Sequence, residues 1–405
     1  MSDRGPLGPE GDDPFRGIPL FGDLARMLQQ QGPVNWDAAR QLAASIATEG
    51  VSEPNIDPLD RIQLEQLARV AELQVGNATS LTTSTSGSGI AIVPVTRTMW
   101  MQRTLDAHRK LFEALAGSLS GGMQVTVDPS GPEDPEFDDP MTKMLGGIMH
   151  AFSPVMLGMT IGSLLGHLAK RSFGQYDLPI PRAPSDEISV LLGNIDEFGE
   201  GWSLPKDDLR LWVCVHEVAR HAVLSVPHVR ARLESLLERY VAGFEPDPHA
   251  LETRLGELDV SDPTAMNKLP ELLGDPEVLL GAIQSPAQRE LLPQLEAIVA
   301  VVVGYVDHLM DTIGEGLIGS YGMVTEALRR RRVTADPSDR FVERLFGLEL
   351  TQAHYERGAA FVNGVVERAG TDALERLWKS ERELPTPAEI DAPGLWLARI
   401  DLPAT

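Results

Sequence analysis

Six residues carry the clearest chemical pattern in the chain: His216-Glu217-Val218-Ala219-Arg220-His221. In the spacing H-E-x-x-H, two imidazoles on one helix face hold a zinc ion, and the glutamate acts as general base toward zinc-bound water. Here Arg220 stands where the second imidazole belongs, and the next histidine, His221, comes one residue late. Residues four apart on a helix lie roughly 40° apart around its axis, whereas residues five apart lie roughly 140° apart. His216 and His221 could share one ion only across a π-bulge, which adds a residue to the turn and is rare. The pattern is the frame of a metal-dependent hydrolytic site with a damaged ligand set. A chance His-Glu pair in a core helix is the plain alternative.

The elements that must position these residues can be read around them. Pro205, Asp207 and Asp208 make a helix start, with a fixed φ and acids near the positive end of the dipole. Leu209, Trp212, Val213, His216, Arg220 and Val223 follow at helical spacing. Leu211, Cys214, Val215, Val218 and Ala222 make the remaining sides apolar, so the helix is expected to be buried nearly all round. The lone Cys214 excludes an internal disulfide and a cysteine zinc cluster, and its setting suits packing rather than nucleophilic chemistry. No G-x-S-x-G elbow and no phosphate-binding loop occurs in the chain.

Beyond the motif, the chain resembles an actinobacterial family described as hydrolases or zinc-dependent metalloproteases. That family is zincin-like and related to a group associated with deazaflavin-coenzyme biosynthesis. The resemblance runs from about Asp13 to Ile400. It is carried by GPVNWDAARQLA at 32–43, GQYDLPIPR at 174–182, WVCVHEVARHAVLSVPHVRARL at 212–233, GYVDHLMD at 304–311 and FVNGVVERAG at 361–370. The family motif reads H-E-V-A-H-H. The resemblance makes His216 the first metal ligand, Glu217 the general base and His221 the trailing histidine, with Arg220 departing at the second ligand. Catalytic zinc keeps three protein ligands and an open position. In the related sequences a glutamate precedes the glycine of a G-[YHW]-x-D-H segment, and the matching residue here is Val303. Zinc is thus the family's cofactor, and two of its three ligands are missing here.

Asp307 lies one turn beyond Val303 and could reach the site. With His308 and Asp311 it forms a polar cluster on an apolar helix, whose plainer role is helix-end polarity or hydrogen bonding around the site. A buried guanidinium without a partner is costly. Arg220 is therefore expected to fill the space of the absent ion and to pair with Glu217 or Asp307.

Charge and length set broader bounds. At 405 residues the chain suffices for a sizeable core and two domains. Its net charge of −24 repels nucleic-acid phosphates and anionic lipid surfaces. No basic segment followed by an apolar one opens the sequence, so a cytoplasmic location is expected. The basic run Arg329–Arg332 reads as a solvated helix end, or as a contact for an acidic partner.

Along the chain, residues 1–15 are rich in Gly, Pro and Asp and are expected to be disordered. Helices are expected at Leu20 to Gln30, Val34 to Thr48, Pro58 to Ala78 and Thr98 to Leu119. The last has a stripe of Met101, Leu105, His108, Phe112 and Leu115. Short strands are expected at Ile90–Pro94 and Ile188–Leu192, with a turn over Asn194 to Phe198. An acidic, proline-rich loop covers 128–140. Residues 144–169 lack Asp, Glu, Lys and Arg, and Gly158, Gly162 and Gly166 form a double G-x-x-x-G. That length could span a membrane. Polar residues, glycines and Pro154 favour instead two buried helices broken near Pro154, their glycine face packed on another helix such as the motif helix. The valine-rich run Ala297–Val306 is too short to span and should bring Val303 beside the motif helix. Further helices are expected at Asp339–Leu348, Leu350–Ala369 and Thr371–Lys379.

The expected architecture is mainly α, a zincin-like metalloprotease fold with few short strands. A helical N-terminal domain would cover 16–185 and a motif-bearing, metalloprotease-type domain 186–405. The leading functional expectation is a binding or scaffold protein that holds a peptide or protein segment in a cleft without zinc. The alternatives are an active zinc peptidase drawing ligands from His221, Asp307 or His308, and a structural partner of a membrane complex.

Overall fold

The structure is a computed structural model that describes residues 32–122, 140–244, 285–333, 343–348 and 351–402. The expected N-terminal tail, the helix at 20–30 and the acidic loop over 128–139 lie outside these residues. So does the start of the helix expected from Asp339.

The first described helix is α1 (Trp36–Thr48), capped by Asn35, whose side chain accepts from the Ala38 amide at 2.9 Å. Next come α2 (Pro58–Ala78), started by Asp57 and Pro58, and strand β1 (Ala91–Pro94). The single helix expected from Thr98 is two, α3 (Arg97–Ala107) and α4 (Arg109–Gly122), because His108 leaves helical geometry at φ −108°. The apolar stripe survives the break: Met101, Leu105, His108, Phe112 and Leu115 are all buried.

Helix α5 (Pro140–Arg171) runs unbroken through Pro154, against the expected break. An internal proline costs about 3 kcal/mol, and close packing on α1 offsets it. The Pro154 carbonyl accepts from the Asn35 amide at 2.8 Å. A Cβ at Gly158 would stand 2.3 Å from the Asn35 carbonyl oxygen, and one at Gly162 2.5 Å from that of Ala39. The double G-x-x-x-G therefore lets two backbones touch, and its partner is α1 rather than the motif helix.

Strand β2 (Glu187–Val190) pairs parallel with β1, with Ile92 opposite Ile188. The segment expected as a turn is helix α6 (Leu192–Gly201), which buries Leu192, Ile195 and Gly199. The motif helix is α7 (Lys206–Leu224), and every residue from Trp212 to Leu224 is buried. Helices α8 (Pro227–Ala242) and α9 (Pro286–Leu317) follow, the latter started by a Ser285–Gln288 capping box. The valine-rich run lies within α9, which is far longer than the ten residues read from sequence. Among the described residues α9 is the helix long and apolar enough to cross a membrane, but 78% of its most apolar window is buried inside the protein.

Helices α10 (Tyr321–Val333) and α11 (Gln352–Ala369) precede a 3-10 segment, Thr371–Trp378. The short helices α12 (Pro387–Ile390) and α13 (Pro393–Asp401) end the described chain. One contiguous apolar core extends from Val34 to Ile400, and the β1–β2 pair joins residues from either side of position 186. The described residues are mostly helical, with two short strands among them.

Candidate functional site

Helix α7 is fixed at its N-terminal end by Arg210, which is 1% exposed. Its guanidinium donates to both Asp196 carboxylate oxygens at 2.9 and 2.6 Å, and to Asp60 at 2.8 Å and Gln63 at 2.6 Å. One buried cation thus ties α7 to α2 and α6, and charge-assisted bonds of this kind are the strong ones.

The middle of α7 is held by a segment the sequence reading used only as part of a resemblance, Gly174 to Asp177. It lies beside β2, with Gly174 bridged to Val190 and the Leu191 amide donating to the Phe173 carbonyl at 2.8 Å. The Trp100 indole donates to the Gly174 carbonyl at 2.9 Å. Three motif residues meet this segment. Glu217 accepts from the Tyr176 amide at 3.1 Å, Arg220 donates to the Tyr176 and Asp177 carbonyls, and His221 Nδ1 meets the Tyr176 hydroxyl at 2.8 Å. A Cβ at Gly174 would fall 2.2 Å from the Glu217 carboxyl carbon, so a side chain there would displace that carboxyl.

A cleft of about 100 Å³ opens beside α7. Trp212, Val213, His216, Glu217 and Arg220 line it from α7; Leu328, Arg331 and Arg332 from α10; Arg171, Phe173 and Asp177 from the end of α5 and the loop after it; Glu343, Thr351 and Tyr355 complete it. The His216 ring stacks on Trp212 with centroids 4.7 Å apart, and its buried Nε2 has no hydrogen-bond partner among the described residues. Burial, helped by Arg220, Arg332 and Arg331, holds His216 well below its ordinary pKa, so the imidazole is neutral. Burial and then Asp177 push the Glu217 carboxyl up to about 8, against the pull of Arg220, the Tyr176 amide and Arg182.

The remaining expected site residues are placed elsewhere. His221 does not line the cleft; α7 has no bulge, and the ring turns to Tyr176. Val303 is buried in α9. Asp307 forms a two-point ion pair with Arg332, both contacts at 2.9 Å, so it does not meet Arg220 as expected. No ion pair joins Arg220 to Glu217 either; the loop carbonyls take that role. His308 is half-buried and outside the cleft, and Asp311 accepts from the Tyr321 hydroxyl at 2.6 Å. Cys214 is buried, and desolvation pushes its thiol up to about 12, in keeping with a packing role.

The basic run at 329–332 is also corrected. Arg331 lies 3.8 Å over the Phe173 ring and donates to the Arg171 carbonyl, and Arg332 lies 4.3 Å over the Tyr355 ring. These two arginines face the cleft rather than solvent alone. A helical wheel of α10 could have set Leu328 and Arg332, four apart, on one face; the partner loop could not be read from it.

Comparison with known proteins identifies the architecture. A family model described as zincin-like metallopeptidase matches residues 34–397. The chain belongs to the zincin-like metallopeptidase family. A solved structure from Chloroflexus aurantiacus, described as "a putative hydrolase with a novel fold", superposes with a TM-score of 0.58 at 22% identity, covering 92% of this chain and all of that one. That likeness concerns the fold. No curated protein matches the chain.

Zinc, the ion a zincin-like site implies, does not fit the donors gathered here. His216 is the one imidazole lining the cleft, and Arg220 brings a permanent cation to the same wall. Among the described residues no group of three or more His, Cys, Asp or Glu side chains is placed to hold a metal.

Proposed function

We propose that this zincin-like protein has a lapsed metal site and uses its cleft to bind rather than to hydrolyse. The observation that carries this is Arg220: a guanidinium at the second-ligand position, 4% exposed and bonded to the backbone of the loop that faces the motif. A dication beside it would meet electrostatic repulsion in a setting of low dielectric. Val303 offers no donor at the matching third position. The side chains that might have substituted are engaged: His221 with Tyr176, and Asp307 with Arg332. Glu217 then stands as a vestigial general base with no metal-bound water to activate. A peptide or protein segment is the proposed occupant, in a cytoplasmic setting. The association with deazaflavin-coenzyme biosynthesis adds no residue to this reading.

The test is to rebuild the site. The double substitution Arg220→His with Val303→Glu is expected to gain binding of Co²⁺, seen as visible absorption, while the native chain shows none. Native protein that takes up Co²⁺ with the same absorption would overturn the reading.

A further inference from the structure

The cleft gathers more arginines than carboxyl groups in a protein whose net charge is −24: Asp177, Glu217 and Glu343 also line it, and the Glu217 carboxyl, pushed up to about 8 by burial, is largely uncharged at neutral pH. Four guanidinium groups line it: Arg171, Arg220, Arg331 and Arg332. Three have carboxylate neighbours. Arg171 lies 3.2 Å from Glu343, Arg331 3.6 Å from Asp177, and Arg332 2.9 Å from Asp307. Arg220 differs. It is 4% exposed and makes no ion pair with any described carboxylate; its buried Nε also has no hydrogen-bond partner among the described residues. The carbonyls of Tyr176 and Asp177 take only its Nη1. A buried cation without an ion-pair partner is costly, and folded proteins leave few such nitrogens unmet. The Nε2 of His216, lining the same cleft, is also buried and has no hydrogen-bond partner among the described residues.

We propose that the cleft binds a small oxyanion group, a carboxylate or a phosphate, held between Arg220 and His216 of α7 and Arg331 of α10. The guanidinium fork matches such oxygens in two-point geometry, and a neutral imidazole can donate one further bond. The cleft's 100 Å³ is below the several hundred Å³ of typical ligand pockets. It accepts a free anion or the charged end of a larger molecule, such as a peptide C-terminus. This inference rests on the binding reading above, because a cation at His216 would take the same space.

The test is calorimetric titration of the full chain with sodium phosphate and, separately, sodium acetate, against sodium chloride at matched ionic strength. Zinc is measured in the same preparation. Saturable binding of one anion per chain is expected, weakened about tenfold or more by Arg331→Gln, equivalent to about 1.4 kcal/mol. Arg330→Gln should leave it unchanged, since that side chain pairs with Glu326 and does not line the cleft. Arg220→Gln is the second variant, with thermal melts to check folding; if it does not fold, Arg331→Gln decides. Binding of phosphate alone would assign a tetrahedral group, and binding of acetate alone a carboxylate; either supports the proposal. Failure of both anions to saturate, or equal weakening by Arg330→Gln, overturns it. Zinc-free protein that binds neither anion overturns only this inference. Stoichiometric zinc overturns the lapsed-site reading and this inference with it, because the ion would take the anion's place.

Discussion

At the scale of one residue, Arg220 links α7 to the loop that lies across from it. Its bonds go to backbone carbonyls rather than to an acid. Arg220→Ala is therefore expected to leave the Tyr176 carbonyl without its donor, at a cost of about 1–3 kcal/mol in denaturant unfolding. Arg220→His should cost less, since an imidazole can still donate; an Arg220→Ala chain as stable as the native one would refute that role. Glu217 supplies a second expectation. Its folded pKa of about 8 lies above the ordinary 4.5. Below 4.5 both states are protonated and no difference arises. Above it only the unfolded state ionises freely, so native stability falls as pH rises from 4.5 toward 8, by up to about 5 kcal/mol. Glu217→Gln should flatten urea-melt stability across that window, and an unaltered pH slope would contradict the assignment. His216, Glu217 and Arg220 were all legible in the sequence because helix spacing alone sets them together. Arg220's partners were not, because backbone carbonyls leave no mark in residue types.

At the scale of elements, the helices with strong start signals were the readable ones. Asp57-Pro58 and Pro205 with its two following acids mark their helices closely. The departures have physical causes. Pro154 stays inside α5 because the glycine face presses on α1, and propensity yields to packing. Helix α6 forms in a glycine-containing stretch because Leu192 and Ile195 are buried. A similar close approach joins α9 to α11: a Cβ at Gly358 would lie 2.1 Å from the Ala300 carbonyl oxygen, and one at Gly304 2.4 Å from the Gly358 carbonyl carbon. Gly358→Ala should force the two helices apart and destabilise the chain by about 1–3 kcal/mol. Gly316→Ala, in α9 with open space around it, should not. Thermal melts of the two variants compare them directly, and equal melting temperatures would show that the close contact is unimportant.

At the scale of the whole molecule, one core unites segments that sequence reading divided at 185/186, and the cleft draws residues from positions 171 to 355. No local pattern could foresee that convergence, because it depends on how α5, α7, α10 and α11 stack. The core also contains a buried imidazole. Desolvation, followed by Arg182, lowers His108 to about 3 from 6.5. The unfolded chain takes up that proton first, so the His108 contribution is full above pH 6.5 and lost as pH falls toward 3, by up to about 5 kcal/mol. His108→Gln should flatten this acid limb in pH-dependent melts, and an unchanged limb would place the sensitivity elsewhere. The claim on which the functional reading turns is the state of the metal site. Its most direct measurement is the zinc content of the native full-length protein, purified without chelator, by elemental mass spectrometry beside a His216→Ala variant. Far substoichiometric zinc in both is the expected result; near-stoichiometric zinc in the native chain that disappears in His216→Ala would contradict it.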